Sequence, residues 1–129
     1  MREHLKHYIG GRWVESEGGE RHEVINPATE EPVTAITLGT AADVDKAVAA
    51  AREAYESFSQ TSVEDRLALL QRIADEYKAR MGDMAKAISE EMGAPISFAG
   101  AAQAPAGLGH FLATAKALKD FAFEEQIGK

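Results

Sequence analysis

The sequence contains no cysteine, and it lacks several other features that mark particular classes of protein. Without cysteine, the 129 residues can hold no disulfide, no thiolate metal site and no cysteine nucleophile. No apolar run approaches the roughly 18 residues of a membrane helix. The opening MREHLKHY carries charges but no apolar segment of a secretory signal. We therefore expect a cytoplasmic protein that does not bind a membrane.

Positive charge is also scarce. The chain has 14 Lys and Arg against 21 Asp and Glu, which gives a net charge of −7 and a pI of about 5.1. Nucleic acids and anionic membranes need a positive surface, so neither is expected as a partner. The length allows one domain or a part of one. Alanine supplies much of the 45% hydrophobic content, which predicts a thin core for this length.

Residues 8–33, YIGGRWVESEGGERHEVINPATEEPV, predict two short β-hairpins. Gly10 and Gly11 separate two short strands and can adopt the positive φ angles of a tight hairpin turn. In the second hairpin, Pro27 fixes φ in the turn and the Asn26 side chain can hydrogen-bond the local backbone. The strand-forming part of the chain is expected over 8–38.

About four helices are predicted over residues 41 to 119, and two of them have clear start signals. Thr40 with Asp43, and Ser62 with Asp65, have the spacing of N-terminal capping boxes. The first helix then repeats apolar residues at steps of four and three, which is typical of one helical face. That predicted face comprises Val44, Val48, Ala51, Tyr55 and Phe58.

Glycine and proline predict where the later helices begin and end. Gly82 and Asp83 predict a break between the second and third helices, and Gly93 is a natural end for the third. Pro95 suits the first turn of a fourth helix, which runs to about residue 119. Gly107 predicts either a break in that helix or close packing against a neighbour. The sequence Phe121-Ala122-Phe123 alternates aromatic and small side chains and could begin a strand.

In order, the motifs YIGG-x-W, VINPAT, ADVDKAVAAAREAY, TSVEDRLALLQRIADEY and EEMGAP resemble the N-terminal segment of the aldehyde dehydrogenase superfamily. Each motif alone is weak, but the ordered set with these gaps is specific and covers nearly the whole chain. Two positions depart from the common pattern: Glu30 follows Thr29 where glycine is common, and Ala94 stands where lysine is common.

The resemblance implies an α/β, Rossmann-like three-layer subunit, of which this chain supplies N-terminal β-hairpins and about four helices. Residues 1–129 would form the N-terminal part of the cofactor-binding domain, with the catalytic domain absent. The family oxidises aldehydes to carboxylic acids with NAD or NADP, using a cysteine nucleophile, an oxyanion-stabilising asparagine and a water-activating glutamate. In family members all three come later in the chain. We therefore expect no catalytic and no cofactor-binding residue here, and an isolated chain that is inactive.

One possible site in this segment is a monovalent cation site. Many family members hold Na⁺ or K⁺ between backbone carbonyls of the VINP region and an acid just before the junction glycine. By resemblance, the Ile25 carbonyl and the Glu91 carboxylate occupy those positions, and hard oxygen ligands suit such ions. The alternative is that Glu91 is a half-exposed acid near a helix end.

Two further readings of the whole chain stay open. It could be a non-catalytic helical assembly or binding module, or a fragment of an acylating, CoA-dependent aldehyde dehydrogenase. In the family reading its partners are the remainder of the same subunit and further copies in a dimer or tetramer.

Other side chains favour structural roles. The sequence Gly107-Leu108-Gly109 lacks the preceding strand of a phosphate-binding loop, so it favours helix packing. His4 and His7 are expected in a mobile terminus, and no histidine has metal-like spacing. The aromatic residues expected to pack in the core are Trp13, Tyr55, Phe58 and Tyr77.

Overall fold

The computed structural model describes residues 2–128 and divides into two compact units. The first unit contains the residues up to Gln60 together with Ser89–Ala94, and the second contains Thr61–Ile88 and the residues from Pro95 onward. The first unit holds all the described strands: β1 (Arg2–His4), β2 (Lys6–Ile9), β3 (Arg12–Glu15), β4 (Arg21–Asn26) and β5 (Glu31–Thr37).

Both predicted hairpins are present. Strands β2 and β3 pair antiparallel across Gly10 and Gly11, whose φ angles of 59° and 77° match the turn chemistry in the sequence. Strands β4 and β5 pair antiparallel, with a register shift between Val24 and Ile25.

The expected mobile N-terminus was wrong. His4 lies in β1, which pairs parallel with β5 to give a three-stranded sheet of order β1-β5-β4, and His7 lies in β2. The sequence alone gave no sign of this parallel pairing, because β1 is three residues long and its partner lies about thirty residues away.

The helices begin where the caps predict. Helix α1 (Ala41–Phe58) follows Thr40, and α2 (Val63–Ala79) follows Ser62, each with a complete capping box. The predicted break at Gly82 was misplaced, because α2 ends at Ala79, with Arg80 as its C-cap, and α3 (Met81–Met92) runs through Gly82 and Asp83. The end of α3 at Gly93 is confirmed by a φ angle of 72°.

The fourth predicted helix consists of three consecutive pieces. A short α4 (Ile96–Phe98) leads into a π-helix (Ala99–Gln103), and then into α5 (Ala104–Asp120). The irregular turn thus lies before Pro105 rather than at Gly107, since proline has no N–H for the carbonyl four residues earlier and its ring crowds that carbonyl. The strand suggested over 121–123 is wrong, because these residues form no regular structure.

The cores of the two units consist of small side chains. The buried hydrophobic residues are Ala35 in the first unit and Ala74, Ala85, Ala99 and Ala104 in the second. Among residues 2–128 no large side chain is fully buried. Trp13 is 67% exposed, Tyr55 68% and Phe58 49%, so the expectation that these three pack in a core is wrong within this chain.

Candidate functional site

The predicted cation ligands lie on two elements of the first unit. Ile25 is in β4, immediately after the register shift, and its cross-strand partner is Pro32. Pro32 has no N–H, so it cannot donate a hydrogen bond to the Ile25 carbonyl. Glu91 lies in the last turn of α3, with its side chain exposed.

The turn after β4 packs against the end of α3. The Asn26 side-chain oxygen accepts a hydrogen bond from the Ala28 N–H at 2.8 Å, as the sequence predicts. A β-carbon built on Gly93 would lie 2.7 Å from Pro27 Cγ. Pro27 and Gly93 each lie two residues after a predicted cation ligand, Ile25 and Glu91 respectively. The contact between them therefore brings the two ligand-bearing segments close together.

The end of α3 is fixed by two hydrogen bonds of its own. The Gly93 N–H donates to the Ser89 carbonyl at 3.1 Å, and Ser89 Oγ donates to the Ala94 carbonyl at 2.8 Å. No group of three or more His, Cys, Asp or Glu side chains suited to a metal occurs within residues 2–128. Any cation beside Glu91 would therefore depend on backbone oxygens.

Asp43 is the centre of a cluster of hydrogen bonds. The sequence predicted only its role in capping α1. Asp43 is buried, with 5% of its surface exposed, and its carboxylate accepts hydrogen bonds from Ser16 Oγ, from the Thr40 N–H at 2.9 Å and from the Glu17 N–H at 3.1 Å. The Ser16 hydroxyl, and then the Thr40 and Glu17 amides, hold the pKa of this carboxyl far below its usual range. The Thr40-x-x-Asp43 spacing signals only the local bonds, since Ser16 and Glu17 lie 26 or more residues away in sequence.

The second unit contains an open groove of about 850 Å³ between apolar and charged side chains. Tyr77, Met84 and Phe111 line it, and the Tyr77 and Phe111 ring centroids are 5.9 Å apart. The Tyr77 hydroxyl donates to the Ala104 carbonyl at 2.9 Å. The Tyr77 hydroxyl therefore connects α2 to α5. Gly107 packs closely against Tyr77, which confirms the predicted helix packing at Gly107, whereas Gly109 faces open space.

Within residues 2–128, Asp43 and Asn26 form side-chain hydrogen bonds in a helix cap and a turn, and Ser89 and Tyr77 form them at a helix end and a helix contact. The sequence contains no cysteine. Five strands are followed by helices along the chain, and the VINPAT turn packs on the helix end at Gly93.

The sequence of the chain matches a known protein family. The family model described as the aldehyde dehydrogenase family matches residues 13–127. The chain is 50% identical over 129 residues to 3-succinoylsemialdehyde-pyridine dehydrogenase from a Pseudomonas species, covering 99% of this chain and 27% of that protein.

Solved structures show the same fold. The crystal structure of an aldehyde dehydrogenase from Bartonella henselae matches with a TM-score of 0.94 and 40% identity, over 100% of this chain and 27% of that one. A mutant of aldehyde dehydrogenase C from Pseudomonas syringae, in complex with NAD⁺ and octanal, matches with a TM-score of 0.92 and 42% identity, over 96% and 26% of the respective chains.

The chain therefore belongs to the aldehyde dehydrogenase family, a family of oxidoreductases. It spans about a quarter of the length of the curated relatives that it matches, and corresponds to their N-terminal segment. No helix within residues 2–128 has the length and apolar character needed to cross a bilayer.

Proposed function

We propose that this chain is the N-terminal scaffold of an oxidoreductase that converts aldehydes to carboxylic acids with NAD⁺ or NADP⁺. The observation that carries the proposal is the family match over residues 13–127, and a structural neighbour that binds NAD⁺ and octanal supports it. The reaction requires a nucleophile that attacks the aldehyde carbon, and the sequence has no cysteine to supply one. The chain by itself is then inactive, and its role is to complete a longer subunit in the cytoplasm.

The partner in this proposal is the remainder of the same subunit, within a dimer or tetramer. Support comes from the first unit, where α1 exposes an apolar stripe: Val44 is 58% exposed and Tyr55 68%. Isolated soluble domains rarely leave such a contiguous apolar stripe uncovered.

A segment exchange tests this function. In the Pseudomonas relative, residues 1–129 of this chain replace the matching N-terminal segment, and the control is the same relative with that segment deleted. We expect the chimera to reduce NAD⁺ with the relative's aldehyde and the deleted protein to be inactive. Purified 1–129 alone should show no aldehyde-dependent NAD⁺ reduction above a heat-killed sample. Activity of 1–129 alone, or a folded but inactive chimera, would contradict the proposal.

We also propose that the Ile25 carbonyl and the Glu91 carboxylate contribute to a Na⁺ or K⁺ site. The packing of Pro27 against Gly93 supports it, because it brings the two contributing stretches side by side. A cation that binds only the folded state stabilises it by mass action. Urea unfolding in sodium or potassium chloride, against choline chloride at equal ionic strength, should show a higher midpoint with the small cations.

Two variants distinguish binding of a cation at Glu91 from the general effect of salt on surface charges. Glu91→Gln should remove the difference between the salts, while Glu53→Gln, which neutralises an exposed acid on α1, should keep it. Equal responses of both variants and the native chain would show that no cation is held there.

A further inference from the structure

The open groove of the second unit has an apolar base. Ile73 and Tyr77, one turn apart on α2, and Phe111 on α5 line it and are half-buried. Met84 on α3 also lines it and is 41% exposed. Apolar side chains from three helices therefore form one surface that is open to solvent over a volume of about 850 Å³.

Charged side chains of both signs border this groove. Arg72, Asp75, Glu76 and Arg80 all lie on α2, line the groove and are exposed. Glu76 Oε2 lies 3.5 Å from Arg80 Nη2, and the Asp75 carboxylate accepts a hydrogen bond from Gln71 Nε2 at 2.9 Å. Because the cations and anions are equal in number, the border has no net charge to attract a ligand of either sign. The apolar base therefore determines what the groove can bind.

An apolar base between charged edges suits an amphipathic polypeptide segment, which turns apolar side chains to the groove and polar ones to solvent. A small molecule fits less well, because ligand pockets enclose most of their ligand and this groove is open. A second copy of the chain also fits less well. A symmetric pair brings identical patches together, and one concave groove cannot fill another.

The relatives indicate where such a segment comes from. The matching segment is only 27% of the Pseudomonas relative, and the same fold is present in the Bartonella henselae structure with a TM-score of 0.94. In those proteins most of the subunit lies outside the segment that this chain matches. A segment joined covalently to the groove has a high effective concentration there, so it has an advantage over any free partner.

We propose that an amphipathic segment of the same subunit, beyond residue 129, docks in this groove and covers Tyr77, Met84 and Phe111. The inference rests on the proposed function, because it takes the chain as the first part of a longer subunit. Met84 is then accessible in the chain alone and covered in the longer subunit.

The absence of cysteine from the sequence allows a direct test of accessibility. Met84→Cys places the only thiol of the chain in the groove. The matched control Leu112→Cys places it on α5, at an apolar side chain that is 48% exposed against 41% for Met84 and lies outside this groove. Each variant is labelled with N-ethylmaleimide in the chain alone and in the chimera with the Pseudomonas relative. Peptide mass spectrometry then measures the label at each introduced cysteine.

In the chain alone both thiols should react at similar rates. In the chimera, Met84→Cys should react at least tenfold more slowly, and Leu112→Cys should stay within about twofold of its rate in the chain alone, because a covered thiol reacts only when the site opens. An active chimera in which Met84→Cys reacts as fast as in the chain alone would overturn the docking and leave the proposed function standing. A folded but inactive chimera with Met84→Cys protected would do the reverse.

The same measurements identify other occupants, and each of them would overturn the proposal. Protection of Met84→Cys in the chain alone that increases with protein concentration would assign the groove to a second copy. Protection that appears in the chimera only after NAD⁺ and aldehyde are added would assign it to a ligand. Equal protection of both cysteines in the chimera would show that coverage is not specific to the groove. If the chimera does not fold, cysteines at the two aligned positions of the Pseudomonas relative give the same comparison.

Discussion

Asp43 joins two stretches of the chain that are remote in sequence. Its carboxylate caps α1 through Thr40 and also receives the hydroxyl of Ser16 and the amide of Glu17. The capping half was predictable, because a Thr followed three residues later by an acid has one common structural meaning. The remote half was not, because no local pattern states which loop will fold back on a cap.

Lowering the pH should weaken the hydrogen bonds to Asp43 and so lower the free energy of unfolding. Its pKa in the folded chain lies below the ordinary value of about 4, so the stability it contributes is present above that value and is lost as pH falls below it. In urea unfolding followed from neutral pH to about pH 3, the native chain should lose stability more steeply than Asp43→Asn. Asp45→Asn, which removes an exposed carboxylate of the same helix, should fall as steeply as the native chain. Parallel curves for the native chain and Asp43→Asn would contradict this assignment.

Glu30 has an unfavourable backbone conformation. Its φ angle is +60°, the left-handed region that favours glycine, and the Glu30 N–H donates to the Asn26 carbonyl at 2.8 Å. In the sequence, Glu30 stood out only as a departure from the pattern of the family that the chain resembles, and that departure did not predict the backbone conformation.

Replacing Glu30 by glycine should stabilise the first unit. Relief of the left-handed conformation outweighs the added freedom of the unfolded chain, and we expect a gain of about 0.5–1 kcal/mol in the free energy of unfolding. Ala28→Gly, in the same turn but without a positive φ angle, should instead lower stability. Urea midpoints from Trp13 fluorescence measure both, and a loss of stability in Glu30→Gly would show that the carboxylate contributes more than the strain costs.

At the scale of elements, α5 contains two glycines in different surroundings. A β-carbon on Gly107 would lie 2.6 Å from Tyr77 Cζ, whereas one on Gly109 would meet no atom within 4 Å. The sequence predicted close packing or a break for this helix without deciding between them, because glycine is compatible with both. The contact with Tyr77 settles the role of Gly107, while the irregular turn belongs to the residues before Pro105.

Alanine substitution should separate these two glycines. Gly107→Ala must displace Tyr77 and its hydrogen bond to Ala104, so we expect a loss of about 1–3 kcal/mol. Gly109→Ala improves helix propensity in open space and should gain up to about 1 kcal/mol. Thermal unfolding followed by far-ultraviolet circular dichroism reports both. Two variants that shift in the same direction would contradict the packing described for Tyr77.

At the scale of the whole chain, periodicity identified apolar faces but not what covers them. The stripe of α1 was predicted at the right positions, yet Val44, Val48, Tyr55 and Phe58 are all exposed. Hydrophobic spacing reports that a face is suited to burial, and the burying surface need not lie among the same 129 residues. Relatives about four times as long, of which this chain covers 27%, explain why a core expectation based on this sequence alone was wrong.

The exposed stripe leads to a prediction about stability. In this chain the double variant Val48→Gln, Tyr55→Gln should change the free energy of unfolding by less than about 0.5 kcal/mol, because both side chains already face solvent. Ala35→Leu, at a fully buried position of the same unit, should cost about 1–3 kcal/mol. Urea unfolding by Trp13 fluorescence compares the two. A large loss in the double variant would mean that α1 is already covered when the chain stands alone.

The π-helix at Ala99–Gln103 affects how this part of the chain can be aligned with others. Each i→i+5 bond closes over one more residue than an α-helical bond, so such a turn behaves as one surplus residue carried inside a helix. In an α-helix each residue advances about 100° around the axis. Because the turn absorbs the surplus residue, a relative that lacks it can keep both helix faces in the same orientation, whereas an alignment without a gap would compare side chains about 100° apart on one side of the turn. Deleting one alanine from this turn should therefore give a regular α-helix and leave the faces of α4 and α5 in their present relation, which far-ultraviolet circular dichroism and unchanged stability would check.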